Sequence, residues 1–388
     1  MEQKTASREE FEKRFCKEEY FSQLEELVNL DSGSTDREGV NRIASYFAPK
    51  FEALGFEVQR IRGEETGDCL VMNRGGREHY DVLFLGHMDT VFPRGTAEER
   101  PFRMDGEKAY GPGVADMKNG LLAIYHIVRA LPREAADKLS LCVVMNPDEE
   151  ISSSFSTPIL IEQASKADHA FVMESALLTG EACMERKGMV QYTLEFQGIA
   201  AHAGYVYETR NASAILEMAH WIPALSALGD REKRTSANVG MVSGGTAVNV
   251  VPDRAVLEVE FRMWEESERR RIEAAVEEML AHPFVEGVSV RIRAKHGKLP
   301  MSPSAGTLDF VEHWRGKAGK MGLFFDVKQR GGLSDANSIA AYVPVCLDGM
   351  GPRGGMDHGV DEHMLVSGAR DCFVLLSAML LEIARGKS

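Results

Sequence analysis

Residues 82–92 read VLFLGHMDTVF, an apolar run that ends in His87 and Asp89. A short apolar run followed by polar residues is typical of a buried strand that ends at a turn. Side chains two positions apart in a strand point to the same side, so the imidazole and the carboxylate are expected to face one way. Such a pair caps a strand in some proteins and binds a metal ion in others, and the pair alone does not distinguish these interpretations.

Two other apolar stretches also end in acidic residues. The stretch SLCVVMNPDEE (140–150) ends in Glu149 and Glu150, and the stretch ADHAFVMES (167–175) contains Glu174 near its end. Ligands bind outside the carboxyl ends of the strands in open α/β sheets. The three strand ends therefore predict one site that is assembled from several strands.

Helices are predicted before and between these strands, over residues 8–30, 38–54 and 119–131. Ser34 and Thr35 are the candidate N-caps of the second helix, because a short hydroxyl side chain can satisfy the free N–H groups at a helix start. The alternation of helices and buried strands indicates an α/β fold.

The sequence pattern changes near Glu181, and the second domain is predicted to begin at residue 183. From there to residue 298 the chain contains several strands of alternating polarity and two helices, which is typical of an α+β unit of domain size. A chain of 388 residues is also too long for one ordinary core. We therefore predict a catalytic domain formed by residues 1–182 and 299–388, into which a second domain of residues 183–298 is inserted.

Composition excludes several classes of partner. A formal net charge of -14 disfavours binding to nucleic acid or to anionic membranes, and no apolar run approaches the length of a membrane span. The six cysteines show no close spacing of the kind that binds metals, and free thiols favour a reducing compartment. The charged N-terminal stretch MEQKTASREEFEKRF has no apolar segment of a signal peptide, so a cytoplasmic protein is expected.

Further polar residues have the chemistry of metal ligands. Asp116, in YGPGVADMKNG, is either an ordinary residue at a helix start or a bridge between two metals, since a carboxylate can offer one oxygen to each. Glu149 and Glu150 form either a solvated acidic turn or a divided pair, in which one acid binds metal and the other acts as general base. His358 lies in the glycine-rich loop GGMDHGVDEHM.

The segments GHMDTVF, GPGVADMK, NPDEE, VMES, GIAAHAG, GGTAVNVVPDRA, GGLSDAN and GGMDHGVDE follow one another along nearly the whole chain. In this order and spacing they resemble the dinuclear-zinc aminoacylase and carboxypeptidase family, most closely its glutamate carboxypeptidase (carboxypeptidase G) type. The resemblance implies a zinc-exopeptidase-like catalytic domain with a mixed sheet flanked by helices. It also implies that the inserted α+β domain is ferredoxin-like and serves as a lid and dimerisation domain.

The resemblance assigns roles to the polar residues at the strand ends. It implies two zinc ions per chain, with cobalt or manganese also compatible with the donor set, held by His87, Asp116, Glu150, Glu174 and His358. Asp116 bridges the two ions in this scheme, Glu149 is the general base, and Asp89 orients His87. The resemblance further implies a cis peptide bond between Asp116 and Met117.

Three residues of the inserted domain receive roles from the same resemblance. His202, in GIAAHAG, would reach the site of a partner subunit and stabilise the oxyanion, which implies a homodimer formed through the inserted domain. Asn249 and Arg262 would hold the free carboxylate of the substrate, a task for which a guanidinium is suited.

The expected function is metal-dependent hydrolysis of the amide bond of an N-acyl amino acid, or removal of the C-terminal residue of a small peptide. Alternatives within the family are a deacylase of the acetylornithine deacetylase or succinyl-diaminopimelate desuccinylase type, and a dipeptidase or tripeptidase. A non-catalytic binding protein on the same fold is a more distant alternative, because it would be expected to lack the base or a ligand. A structural or scaffold protein is a further one, for which the sequence has no supporting feature.

Overall fold

The computed structural model describes residues 8–387, and the first seven residues of the predicted catalytic domain lie outside this range. The helices are α1 (Arg8–Glu12), α2 (Lys17–Val28), α3 (Arg37–Glu52), α4 (Thr96–Glu99), α5 (Asn119–Arg129), α6 (Arg133–Ala136), α7 (Thr157–Ala164), α8 (Ala214–Ser226), α9 (Glu266–Ala281), α10 (Ala305–Lys320), α11 (Ala336–Ile339) and α12 (Val366–Arg385). No helix within the described range is both long and apolar enough to cross a membrane.

The strands are β1 (Glu57–Ile61), β2 (Cys69–Arg74), β3 (Tyr80–His87), β4 (Arg103–Asp105), β5 (Lys108–Tyr110), β6 (Leu141–Asn146), β7 (Ala167–Val172), β8 (Ser175–Ala176), β9 (Ala182–Arg186), β10 (Gly188–Gln197), β11 (Ala201–His202), β12 (Ser236–Gly244), β13 (Val250–Val251), β14 (Arg254–Met263), β15 (Ser289–Lys298), β16 (Val327–Arg330), β17 (Val345–Leu347), β18 (Gly351–Gly355) and β19 (His363–Leu365).

The chain folds into two compact units. The first unit is formed by the described parts of residues 1–184, 302–329 and 334–388. The second unit is formed by residues 185–301 together with residues 330–333.

A six-stranded sheet in the order β1-β2-β6-β3-β7-β17 forms the centre of the first unit. Strands β6, β3, β7 and β17 are parallel, whereas β1 and β2 run antiparallel to their neighbours. This arrangement confirms the predicted mixed sheet. Every residue of β3 and β6 is buried, as expected for strands covered on both faces.

Helices α5 and α12 contribute large parts of the core beside this sheet. The residues of α5 from Asn119 to Val128 are buried, and α12 buries twelve residues. Gly120 allows α5 to approach the segment after β7 closely, because a Cβ atom at this position would lie 2.1 Å from the carbonyl oxygen of Met173. A smaller five-stranded sheet in the order β4-β5-β19-β18-β8 completes the first unit.

Two details of the predicted helices are wrong. The helix expected over residues 8–30 is two helices, α1 and α2, because the chain turns between them so that Phe15 packs 5.4 Å from the ring of Tyr20 and 5.3 Å from that of Phe373. The N-cap of α3 is Asp36, whose Oδ1 accepts the N–H of Gly39 at 3.0 Å. Ser34 instead donates its hydroxyl to Asp89, at 2.7 Å.

The second unit contains a four-stranded antiparallel sheet in the order β12-β14-β10-β15, together with α8 and α9. Strand β14 alternates buried and partly exposed residues, so one face of the sheet carries the core. Trp221 of α8 is fully buried in this core, 5.7 Å from the ring of Phe196. The roles of this unit as a lid and dimerisation domain stay predictions.

Candidate metal centre

Three neighbouring parallel strands end at the same edge of the central sheet. His87 is the last residue of β3 and pairs with Asn146, the last residue of β6, while Leu85 pairs with Val172, the last residue of β7. The chain then continues from β6 into a helical turn that begins at Glu149, and from β7 to Glu174. Parallel register therefore brings the polar residues that follow each apolar strand to one place.

Asp116 enters this site from the turn Val114–Lys118, which precedes α5. Gly113 begins the turn with a φ of 74°, a conformation that glycine adopts at little cost. The peptide bond between Asp116 and Met117 is cis, as the resemblance implies.

Asp116 directs one carboxylate oxygen to each of two histidines. Its Oδ1 atom lies 3.0 Å from Nε2 of His87, and its Oδ2 atom lies 3.0 Å from Nε2 of His358. Nε2 of His87 is also 3.6 Å from Glu174, and Nε2 of His358 is 3.2 Å from Glu150. The five residues predicted as ligands thus form two groups, each with one histidine and one glutamate, that share Asp116.

Asp89 lies behind His87 and is completely buried. The Nδ1 atom of His87 is 3.0 Å from the backbone oxygen of Asp89 and 3.4 Å from its carboxylate. The same carboxylate accepts the backbone N–H groups of Glu149 at 3.1 Å and of Glu150 at 3.2 Å. Asp89 therefore connects the end of β3 to the turn that carries the two adjacent glutamates.

Positive charge is favoured at the two histidines. Burial disfavours the charged form of His87, but hydrogen bonds to Asp116 and Asp89 outweigh burial and raise its pKa well above the ordinary value. Hydrogen bonds to Asp116 and Glu150 raise the pKa of His358 to about 11. The carboxylates thus attract a cation, which can be a proton on each imidazole or a metal ion that replaces it.

The carboxylates are crowded and mostly buried. Burial, followed by the charge of Asp116, raises the pKa of Glu174 well above its ordinary value, and burial also raises the pKa of Glu150. At Asp116 burial acts in the same direction, but the hydrogen bonds from His358 and His87 outweigh it and lower the pKa. These acids repel one another unless cations lie among them.

This donor set fits divalent metal ions. Among the described residues, none donates a hydrogen bond to the buried Oε1 atom of Glu150. Ligand atoms of His87, Asp116 and Glu150 lie within 4.8 Å of one another, as do those of His87, Glu149 and Glu174. Imidazole and carboxylate ligands suit zinc, and the same set accepts cobalt or manganese.

A separate group of possible ligands in the first unit consists of the exposed His79 and Asp168 and the buried Asp81. The carboxylate of Asp81 already forms an ion pair with Nζ of Lys387 at 2.5 Å and accepts the backbone N–H of Ser140 at 2.7 Å. His79 and Asp168 are exposed. This group therefore lacks the buried and unsatisfied oxygen that marks the first site.

The three predicted residues of the inserted domain lie in the second unit. His202 is exposed at the end of β11, and its Nδ1 accepts the N–H of Gly204 at 3.1 Å. Asn249 is exposed next to β13, which pairs with β11, and its backbone oxygen accepts the N–H of Ala203 at 2.9 Å. Backbone pairing thus brings His202 and Asn249 into one segment of this unit.

Arg262 is half-buried on β14 and is already paired. Its Nε and Nη2 atoms donate to the carboxylate of Glu260 at 2.7 Å and 3.2 Å. A substrate carboxylate at Arg262 would have to share the guanidinium with Glu260 or displace it.

Sequence reasoning missed two polar residues that support the centre. Ser34 donates to Asp89, and Glu362 accepts backbone N–H groups of the turn that carries Asp116. Both residues lie in loops far along the chain from their partners, and no local pattern distinguishes them from ordinary loop residues. The only available signal is the position of Glu362 shortly after His358 in the segment GGMDHGVDE.

Comparisons with known proteins agree with this architecture. A sequence model of the family described as Peptidase family M20/M25/M40 matches residues 83–382. Carboxypeptidase G2 from Pseudomonas sp. (strain RS-16) is 26% identical over 373 residues, which cover 94% of this chain and 89% of that protein. Succinyl-diaminopimelate desuccinylase from Verminephrobacter eiseniae is 28% identical over 310 residues, covering 74% of each.

A solved structure shows the same fold. The aminopeptidase PepT from Bacillus cereus superposes with a TM-score of 0.77 at 23% identity, over 96% of this chain and 100% of that one.

Proposed function

The chain belongs to peptidase family M20/M25/M40 and is a metal-dependent hydrolase, and we propose that it cleaves the amide bond of an N-acyl amino acid or the C-terminal residue of a small peptide. The observation that carries this proposal is the pair of histidines that face the two oxygens of Asp116. The similarity to a carboxypeptidase over 94% of the chain supports the glutamate carboxypeptidase type.

We further propose two metal ions per chain, zinc in the first place, with cobalt or manganese as alternatives. His87 and Glu174 would hold one ion, His358 and Glu150 the other, and Asp116 both. When bound, the ions supply Lewis acidity that polarises the amide carbonyl and lowers the pKa of water.

Glu149 is the proposed general base. It accepts a proton from the attacking water as the water oxygen bonds to the carbonyl carbon, and it returns this proton to the amine nitrogen as the C–N bond breaks. Asp89 holds the Nδ1 side of His87, which keeps Nε2 directed at Asp116. His202 of a partner subunit would stabilise the developing oxyanion.

Arg262 and Asn249 are proposed to hold the free carboxylate of the substrate. Recognition by Arg262 requires that its pair with Glu260 is shared or exchanged, which makes selection for the carboxylate a competition between two anions.

A homodimer formed through the second unit is part of this proposal. Strand β12 lies at the edge of its sheet, so its outer backbone groups have no strand partner within this sheet. The edge also exposes apolar side chains, with Met241 64% exposed and Val242 54% exposed. An edge strand with exposed apolar side chains supports association with a second copy.

We propose a cytoplasmic location, which rests on six free cysteines, five of them buried.

The second candidate function is a small-molecule deacylase, which the similarity to a succinyl-diaminopimelate desuccinylase favours. The two functions differ in the substrate that is cleaved fastest. A panel of dipeptides, N-acyl glutamates, acetylornithine and succinyl-diaminopimelate, assayed with added zinc or cobalt, separates them. Fastest cleavage of N-acyl glutamates is the expected result, and cleavage of succinyl-diaminopimelate alone would support the deacylase.

A further inference from the structure

Glu362 is a buried carboxylate that accepts three backbone N–H groups from one turn. Its side chain is only 2% exposed. Its Oε1 atom accepts the N–H of Ala115 at 2.8 Å and that of Asp116 at 3.0 Å, and its Oε2 atom accepts the N–H of Gly113 at 3.0 Å. All three donors belong to the turn that delivers Asp116 to the metal centre.

These N–H groups depend on Glu362 because the turn is not a regular helix. Asp116 has a φ of -118° and a ψ of 93°, which are not helical values. Buried backbone N–H groups need an acceptor, and removing that acceptor leaves a buried donor unsatisfied, which destabilises the turn. The carboxylate therefore stabilises a non-helical backbone conformation, in which it accepts the N–H groups of the turn.

The position of Glu362 is itself fixed by the sheet. It immediately precedes β19, where His363 pairs with Tyr110 of β5 and with Gly355 of β18. The short segment from His358 to Glu362 thus carries a proposed ligand at one end and the acceptor for the Asp116 turn at the other.

We propose that Glu362 is a positioning residue for the metal centre: it holds the Asp116 turn so that one carboxylate oxygen faces each histidine. The inference rests on the proposed metal centre. It assigns Glu362 no contact with substrate, so the expected effect of losing it is on metal affinity. Groups that orient metal ligands in this way typically contribute about 10- to 100-fold to metal affinity.

The test is Glu362→Gln, whose amide keeps the size of the side chain but replaces one acceptor oxygen with an NH₂ group. At least one of the three backbone N–H groups would then face a donor. Zinc affinity is measured by competition with a chelator of known affinity, and the unfolding temperature of the metal-free protein is measured in parallel.

Glu217→Gln is a matched control. Glu217 is 0% exposed and also accepts three N–H groups, from Nε1 of Trp221 at 2.7 Å and from the backbone of Phe284 at 3.0 Å and Val285 at 2.6 Å. It belongs to the second unit, whereas the proposed ligands all belong to the first. Its loss is expected to lower the unfolding temperature and to leave zinc affinity unchanged.

We expect Glu362→Gln to lower zinc affinity by about 10- to 100-fold, with no larger loss of unfolding temperature than the control shows. Equal zinc affinities for the two variants would overturn the inference while leaving the proposed function intact. A wild-type protein that binds no zinc would overturn both. If Glu362→Gln does not fold, Glu362→Asp is tested in its place. Its zinc affinity is expected to be clearly lower than that of wild type, by less than 10-fold. A zinc affinity equal to that of wild type would overturn the inference.

Discussion

Two aspartates lie beside the same histidine, the half-buried Asp116 and the fully buried Asp89, and their hydrogen bonds give them different tasks. Asp116 directs both oxygens at imidazoles, so its charge is available to cations in the site. The carboxylate of Asp89 accepts hydrogen bonds from the hydroxyl of Ser34 and from two backbone N–H groups. Because its oxygens already accept these hydrogen bonds, Asp89 is suited to orienting the neighbouring ligand His87 rather than to binding a metal itself.

At Glu149, the substitution Glu149→Gln is expected to retain the metals and the fold and to lose most of the turnover. The amide cannot accept the proton of the attacking water, and general base catalysis typically contributes about 10²- to 10⁴-fold. Amide hydrolysis and metal content are measured on the same sample. A variant within a few-fold of wild-type turnover would show that another group is the base, and loss of metal would show that Glu149 is a ligand.

At Arg262, the substitution Arg262→Ala is expected to weaken cleavage of a substrate with a free carboxylate much more than cleavage of the matching amide. A hydrogen-bonded charge pair that loses one partner typically costs about 2–5 kcal/mol, which corresponds to a loss of tens- to thousands-fold in kcat/KM. The neutral substrate leaves nothing unpaired, so its loss should be small.

Arg254→Ala is the matched control for Arg262, because Arg254 lies on the same strand and pairs with Glu195. This control substitution should change the kcat/KM of neither substrate. If Arg262→Ala loses equal kcat/KM for the charged and the neutral substrate, the pair of Arg262 with Glu260 only supports the fold.

At the scale of elements, the ends of β3, β6 and β7 could be predicted from the sequence because an apolar run precedes the polar residues at each strand end. The polar residues that follow such a run must lie at the edge of the sheet, and parallel pairing brings those edges together. This argument predicts that His87, Glu149, Glu150 and Glu174 meet, and the structure brings them together.

Other parts of the architecture could not be predicted in this way. The break between α1 and α2 depends on the packing of Phe15 against Phe373, a residue far along the chain. Glu362 looks like a solvated loop acid until its three N–H donors are known. Both features depend on contacts between distant segments, and a single sequence carries no periodic signal for such contacts.

A buried glutamate at the start of α9, Glu268, is expected to make the stability of the second unit depend on pH. Glu268 is buried there and accepts hydrogen bonds from Arg271 at 2.7 Å, Lys233 at 2.5 Å and Thr235 at 3.1 Å. The hydrogen bond of Arg271 first, and then those of Lys233 and Thr235, outweigh burial and lower the pKa of Glu268 to about 2. Because the pKa is lower in the folded state, this group stabilises the fold above about pH 4.5, and the contribution is lost as the pH falls towards 2.

Glu268→Gln should therefore lower the free energy of unfolding by about 1–3 kcal/mol at pH 7, and the difference from wild type should shrink as the pH falls below about 4. Urea unfolding over this pH range measures it. Glu278→Gln, on the exposed side of the same helix, is the control and should have little effect at any pH. A difference that does not change with pH would mean that Glu268 contributes through packing rather than charge.

At the scale of the whole molecule, the proposed dimer predicts that subunits complete each other's sites. His202→Ala and Glu149→Gln are each expected to be nearly inactive alone. In a mixed dimer, one of the two sites would combine Glu149 of one subunit with His202 of the other. When equal amounts of the two variants exchange subunits at random, about half of the dimers are mixed, and one of the two sites in each mixed dimer is complete. About a quarter of wild-type activity should thus return in a two-fold symmetric dimer.

Subunit exchange must be verified separately, for example with chains that carry different labels. Exchange without recovery of activity would show that His202 acts within its own chain or takes no part in the reaction. A protein that stays monomeric at assay concentrations while fully active would exclude the shared site.

The number of metal ions needed for hydrolysis tests the central claim most directly. The protein is stripped of metal with a chelator, zinc is added back in steps, and bound zinc per chain and cleavage of an N-acyl amino acid are measured at each step. We expect no cleavage by the metal-free protein and full cleavage at two zinc ions per chain, held by the two histidine groups that share Asp116. Full activity at one ion per chain, or cleavage without any metal, would contradict the account.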